Sequence, residues 1–235
     1  MLKNIKAIII DVDDCMYPKS LGIGKQFVER VEQYAKNLLK YDDKQTVELL
    51  SIWTKDDEKG LAFLHERGVN RENAMDYICA LDVSKIEYDD KLRKQLEEFP
   101  IRKIVYTNST HSHIDDVLNG QLKIKDLFED FYTTKESGYV FKHNALAFEK
   151  ILKYYDLEAG TTAMLEDNPK YLAAAKQNGI TTIWVRENMD SAAYPYKDKD
   201  YPYVDYIVKD INQALGLFKT GNMVRDRALA EAMSR

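Results

Sequence analysis

Three isoleucines after Ala7 run without a break into the acidic cluster Asp11-Val12-Asp13-Asp14. Four apolar residues with no polar alternation mark a strand that is covered on both faces. Such strands belong to parallel sheets flanked by helices, so this short segment argues against all-α folds and one-sided β-sheets. Similar runs recur at Arg102-Lys103-Ile104-Val105-Tyr106, Ala163-Met164-Leu165, Thr181-Thr182-Ile183-Trp184-Val185 and, more weakly, Tyr206-Ile207-Val208. Between them, apolar spacing near 3.6 predicts helices from Ala145 to Tyr155 and from Pro169 to Gln177, the second closed by Asn178-Gly179. The alternation predicts an α/β fold built on a doubly wound, mostly parallel sheet.

One stretch interrupts the pattern. From Gly24 to Glu98 no buried strand is legible, only helical spacing at Phe27 to Leu39, Lys44 to Trp53, Arg71 to Cys79 and Asp89 to Glu98. That length far exceeds an ordinary strand–helix connection. The expected organisation is a discontinuous core of residues 1–20 and 97–218, an inserted α-helical domain over 21–96, and a C-terminal tail or helix over 219–235.

Bulk properties narrow the partners. With 34 basic and 39 acidic residues the net charge is −5, which gives no support to nucleic acid or an anionic membrane as partner. A small anionic substrate stays compatible, because a metal and a few local cations overrule the global sign. Cys15 and Cys79 are far apart and outside any metal-ligand spacing, which suits two free thiols in a reducing compartment. The first apolar run is too short for a secretory signal and no membrane-length run follows, so a cytoplasmic location is expected.

Open α/β sheets bind ligands beyond the carboxyl ends of their strands. The first run ends in Asp11-Val12-Asp13, the second in Thr107-Asn108-Ser109, and the run at Ala163 in Glu166-Asp167-Asn168; Lys142 follows Phe131-Tyr132-Thr133 and precedes a helix. Taken singly these are ordinary residues: acids cap helices, a threonine makes a turn, a lysine sits at the surface. Together they supply carboxylates, a hydroxyl and an amine to one sheet edge. Clustered carboxylates repel unless a cation intervenes, and oxygen donors without His or Cys favour a hard ion, magnesium beside a phosphate. Asp11 can then attack phosphorus, Asp13 can move protons, and Thr107, its neighbouring amides and Lys142 can hold phosphoryl oxygens.

The ordered set Asp11-x-Asp13, Thr107-Asn108, Lys142 and Glu166-Asp167 resembles the four motifs of the haloacid dehalogenase superfamily, over nearly all the chain up to about residue 210. The resemblance implies a Rossmann-like core with a helical cap inserted after the first strand. It implies Asp11 as nucleophile, Asp13 as acid and base, Thr107, Asn108 and Lys142 as phosphate-binding groups, and Mg2+ held by Asp11, the Asp13 backbone carbonyl and Asp167. Dehalogenases of this superfamily lack an acid at the position of Asp13, which points to phosphoryl transfer. The opening Asp11-Val12-Asp13-Asp14-Cys15-Met16-Tyr17-Pro18, with Gly60-Leu61-Ala62 and Ala147-Phe148-Glu149, resembles the pyrimidine 5′-nucleotidase group, although Asp14 replaces the usual Asn and His143 stands where Pro is common.

The expected activity is therefore hydrolysis of a small phosphorylated metabolite, such as a nucleoside 5′-monophosphate, through an aspartyl-phosphate. A phosphomutase or a non-catalytic phosphate-binding protein on the same fold is the alternative. A response-regulator receiver domain fits less well, since its acid pair lies a whole strand–helix unit before its phosphorylated Asp. Trp53, Phe63, His65, Tyr77 and Tyr88 are the insert's candidates for stacking on a base, although aromatics at helical spacing are more often core. His111 and His113 read as residues of a helix N-terminus or the surface.

Overall fold

A computed structural model describes residues 2–187 and 201–220. Six parallel strands make one sheet: β1 (Ala7–Ile10), β2 (Arg102–Tyr106), β3 (Asp130–Tyr132), β4 (Thr162–Glu166), β5 (Thr181–Val185) and β6 (Tyr206–Val208), in the order β3-β2-β1-β4-β5-β6. β1 lies at the centre, paired with β2 on one side and β4 on the other.

The unbroken apolar runs have a direct explanation in this layering. Successive side chains of a strand point to opposite faces. Ile8 and Ile10 of β1, Val105 of β2, Leu165 of β4 and Ile183 of β5 enter one buried layer, while Ile9, Ile104, Met164 and Trp184 enter the other. On the first face lie α5 (Asp90–Glu97), α6 (His111–Ile114) with its π-helical continuation Asp115–Gln121, and α9 (Ile211–Thr220). On the second lie α7 (Ala145–Tyr154) and α8 (Pro169–Gln177). Residues 221–235, expected as most of a tail or terminal helix, fall outside the described residues.

Between β1 and β2 the chain is helical, with α1 (Gln26–Gln33) running on into a π turn at Tyr34–Leu38, then α2 (Asp43–Trp53), α3 (Asp57–Glu66) and α4 (Arg71–Ile78). Over the stretch expected as an insert, 21–96, packing divides in two. Val31, Leu49, Trp53, Leu61, Leu64, Ala74 and Ile78 form a core of their own. Leu81, Val83, Ile86, Leu92 and Leu96 pack with the sheet instead. Each of α2, α3, α4 and α5 starts at an Asp or Asn whose side chain accepts from a backbone N–H three residues on: Asp42, Asp56, Asn70 and Asp89.

Phe141, which belongs to the sheet half of the chain, is buried in the helical core, and its N–H donates to Glu58 Oε2 at 2.8 Å. The two halves are thus joined by packing as well as by chain. Within the helical unit, α2 and α3 approach so closely at Gly60 that a Cβ there would lie 2.5 Å from Cε3 of Trp53. Glycine at 60 is required by that approach. Gly60→Ala is expected to lower unfolding free energy by about 1–3 kcal/mol through overpacking, measured as a reduced denaturant midpoint at unchanged slope.

Candidate active site

Strand register assembles the site. Ile10 is level with Val105 and Leu165, and the ladders run one step further: the Asp11 N–H donates to the Leu165 carbonyl (3.0 Å) and the Thr107 N–H to the Tyr132 carbonyl (3.1 Å). Asp11 is therefore level with Tyr106 and Glu166, Thr107 stands one residue beyond, and β1 sits where the strand order reverses, the place where such sheets open a crevice. A cavity of about 260 Å³ lies there, and Asp11, Asp13, Thr107, Asn108, Lys142 and Asp167 all line it. The six residues singled out from sequence are brought to one cleft.

Lys142 is only 1 % exposed, so it is no surface lysine. Its ammonium is 2.7 Å from Asp11 Oδ1 and 2.6 Å from Glu166 Oε2, and its backbone N–H donates to Asn108 Oδ1 (3.0 Å). Burial alone would lower its pKa, but the two carboxylates outweigh that and push it up. Both carboxyls are themselves raised, first by burial, then by nearby carboxylates against the pull of Lys142: Asp167 and Asp13 act on Asp11, and Asp11 and Asp167 on Glu166. Glu166 is fully covered; its other oxygen accepts the Asn168 N–H at 3.0 Å, which fixes the start of α8. The Thr107 hydroxyl oxygen accepts the Ser109 N–H at 3.0 Å, tightening the turn after β2. Asn108 Nδ2 is a buried donor without a partner among the described residues.

Asp13 is held differently. Its Oδ1 accepts from the Tyr17 hydroxyl at 2.5 Å and from His113 Nε2 at 2.6 Å. Burial pushes the Asp13 carboxyl up, but these two donors more than reverse it and the pKa falls below the ordinary value. The same pairing raises His113 against its own burial. The sequence suggests a helix N-terminus or the surface for His111 and His113; both stand in the first turn of α6 after the Thr110 cap, but only His111 is exposed, and the His113 imidazole is buried. The helical spacing after β2 cannot show this, because the direction of α6 relative to Asp13 depends on the fold. Cys15 and Cys79 are both free and buried.

Of the five aromatic or imidazole candidates in the insert, Trp53 alone lines the cleft. Phe63 and Tyr77 carry the guanidinium groups of Arg67 and Arg30, His65 bonds the Val69 carbonyl, and Tyr88 is exposed.

The haloacid dehalogenase-like hydrolase family matches the sequence over residues 5–179. The chain belongs to that family. Among solved structures, the fold of this hydrolase resembles the phosphate complex of CbbY from Rhodobacter sphaeroides, with 16 % identity and a TM-score of 0.57 over 88 % of this chain and 94 % of that one. It also resembles 2-haloacid dehalogenase from Pseudomonas syringae pv. tomato, with 15 % identity and a TM-score of 0.56 over 93 % of this chain and all of that one. L-2-haloacid dehalogenase from Xanthobacter autotrophicus, with chloropropionic acid covalently bound, gives 12 % identity and a TM-score of 0.54 over the same shares. No curated protein matches the chain. Among the described residues, no helix is long and apolar enough to cross a membrane.

The hydrolase's acids fit a divalent cation. One carboxylate oxygen from each of Asp11, Glu166 and Asp167 lies within 4.8 Å of the others, an all-oxygen set that suits a hard ion. Lys19 marks the need for positive charge there: its ammonium sits 2.7 Å from Asp167 Oδ2 and 3.4 Å from Asp14 Oδ2. Tyr17 and His113 both take Asp13 Oδ1, and the ligand that the resemblance implies from this residue is its backbone carbonyl. Asp14 adopts a left-handed backbone, φ 57°, which Asn and Asp tolerate best and which explains why an Asp can stand for Asn at this turn.

Burial, beside Asp167 and Asp13 and against the pull of Lys19, pushes the Asp14 carboxyl from 3.8 up to about 7. Folding thus favours its protonated form, and the metal-free protein loses stability from this group as pH rises from 3.8 to about 7. Asp14→Asn is expected to raise the metal-free melting temperature at pH 8 and leave it unchanged near pH 3. Lys142→Met leaves buried carboxylates uncompensated and is expected to cost about 3–5 kcal/mol at pH 7. The cost should shrink on acidification, as followed by denaturant titration.

Proposed function

We propose that this hydrolase is a magnesium-dependent phosphomonoesterase that works through an aspartyl-phosphate on Asp11, acting on a small metabolite of the nucleoside 5′-monophosphate kind. The observation that carries the reading is the convergence of Asp11, Asp13, Thr107, Lys142 and Asp167 on one cleft at the end of β1. The acid at position 13 favours phosphoryl transfer over carbon–halogen cleavage, because breaking a phosphate ester needs a proton on the departing oxygen.

In this mechanism an Asp11 oxygen attacks phosphorus and the ester P–O bond breaks, the departing oxygen taking its proton from Asp13. Water then attacks the phosphorus, Asp13 takes a proton from it, and the P–O bond to Asp11 breaks to release inorganic phosphate. Tyr17 and His113 occupy the same oxygen of Asp13, so Oδ2 is the one left for proton transfer. Their hydrogen bonds favour the carboxylate, which suits the second half; the negative phosphoryl oxygens beside it raise its proton affinity for the first. Lys142 opposes the effect of burial on Asp11 and balances charge on the phosphoryl group, while Thr107 and the Asn108 amide hold its oxygens. Asp11, Asp167 and the Asp13 carbonyl would hold a divalent ion, which when bound would supply further positive charge to those oxygens. The helical unit acts as a cap that restricts water.

Asp11→Asn is expected to abolish phosphate release from an aryl phosphate while the folded circular-dichroism spectrum persists; a wild-type rate would end the nucleophile assignment. Asp13→Asn should cost roughly a hundredfold or more on alkyl phosphates and clearly less on nitrophenyl phosphate, whose leaving group needs no proton. Equal losses would remove Asp13 from the acid role. Chelation should stop turnover and added magnesium restore it, read by the same phosphate-release assay.

A further inference from the structure

Among the described residues that line the cleft, the cationic ones are Lys19 and Lys142, and they are held in opposite ways. The Lys142 side chain is 1 % exposed, enclosed between Asp11 and Glu166. The Lys19 side chain is 50 % exposed and reaches in from the loop after β1, its ammonium 2.7 Å from Asp167 Oδ2 and 3.4 Å from Asp14 Oδ2. Removing the Lys142 ammonium would strip two buried carboxylates of their counter-charge. An ammonium at the surface, by contrast, exchanges its partner for water at little cost. Of the two, Lys19 is the one that can give way.

The backbone beneath it does not have to move. The Ser20 N–H and hydroxyl donate to Glu187 Oε2 and Oε1 at 2.9 and 2.6 Å, and Gly22 closes the turn in a left-handed conformation, φ 73°. Asp167 is fixed as well, since Trp184 Nε1 donates to its carbonyl at 2.8 Å. What can change is the flexible four-carbon stem of the lysine.

Asp167 is also one of the three acids whose oxygens suit a divalent ion. An ammonium and a divalent ion on one carboxylate repel each other, and charges a few ångströms apart near a protein surface shift a binding constant by about tenfold or more. Lys19 and the ion therefore compete for Asp167. A phosphoryl group beside Asp11 would lie in the same cleft and give the displaced ammonium a charge-assisted partner.

We propose that Lys19 is a tethered cation that holds Asp167 until a divalent ion and a phosphoryl group displace it together, so that each strengthens binding of the other. This rests on the reading of Asp11 and Asp167 as ligands of a divalent ion, and it needs no turnover to be tested. By linkage, whatever phosphate does for the affinity of the ion, the ion does for phosphate. Loading of the metal is thereby tied to the arrival of a phosphorylated ligand.

The test titrates Mn2+ into the full chain and reads free Mn2+ by electron paramagnetic resonance, with and without saturating orthophosphate. It compares the wild type, Lys19→Met and Lys19→Arg. Without phosphate, Lys19→Met should bind Mn2+ about tenfold more tightly than the wild type, because the competitor is gone. Orthophosphate should tighten Mn2+ binding in the wild type by about tenfold more than in Lys19→Met. Lys19→Arg, which keeps the charge, should retain the wild-type coupling. The thermal melt is a second readout. Without divalent ion Lys19→Met should melt below the wild type, since Asp14 and Asp167 lose their cation, and saturating Mn2+ should close or reverse the gap. If Lys19→Met does not fold, Lys19→Gln takes its place. Equal or weaker Mn2+ binding in the folded neutral variant, or an undiminished phosphate effect, would overturn the proposal and leave the divalent-ion reading standing. A folded wild type that binds no Mn2+ would bring down both.

Discussion

A single ammonium group, that of Lys142, wedged between Asp11 and Glu166 beneath the end of the sheet, is the contact on which the site depends. Two carboxylates withdrawn from water beside a third, Asp167, would otherwise take up protons rather than stay charged. The lysine must be placed accurately to prevent this, and its backbone is anchored accordingly. Asn108 accepts its N–H from the neighbouring strand end, and the residues on either side of it face the helical unit. Phe141 is buried in that unit's core and bonds Glu58, while the His143 ring lies 3.5 Å from Asp56 and 3.6 Å from Asp57. Three consecutive residues thus tie the counter-charge of Asp11 to the helical unit.

The shared fold does not by itself decide the chemistry. Structures described as dehalogenases and a phosphate-bound protein resemble this chain about equally well, at 12–16 % identity. One scaffold carries several reactions, and the choice rests on particular groups at the strand ends. Here the distinguishing group is Asp13 with the two donors behind it. Tyr17 comes from the turn after β1 and His113 from α6, one hundred residues along the chain, so the acid's environment depends on the whole sheet being assembled.

Much of this was legible from the residues. The central strands β1 and β4 showed themselves because burial on both faces demands unbroken apolar runs, and Asp11, Thr107 and Asp167 because each closely follows a strand; Lys142 lies well beyond the short β3 and was read from its place before a helix. Six helices were readable where apolar spacing was regular. α3 was not, since Asp57–Glu66 mixes four charged side chains, an imidazole and a glycine, and its boundaries come from the Asp56 cap and the contact of Gly60 with Trp53. The burial of His113 and the place of Lys19 were not legible for a common reason. Their partners, Asp13 and Asp167, are distant in sequence, and no local period encodes which way a side chain turns once the sheet has closed. Glu166 was seen as one acid among several; its place under Lys142 follows only from the register of β4 against β1.

The central position of β1 has a consequence for biosynthesis. β1 is synthesised before both of the neighbours that it needs, and those neighbours are Arg102–Tyr106 and Thr162–Glu166. Until the second of these has emerged, the triple isoleucine has an unsatisfied edge and no covering layer, a nascent segment of the kind that chaperones bind and that sticks to other chains. The helical unit, whose residues lie between 26 and 79 and which has its own apolar core, is synthesised in that interval. The chain therefore carries this apolar stretch unpaired on one side until residue 166 has been made and the sheet can take it in.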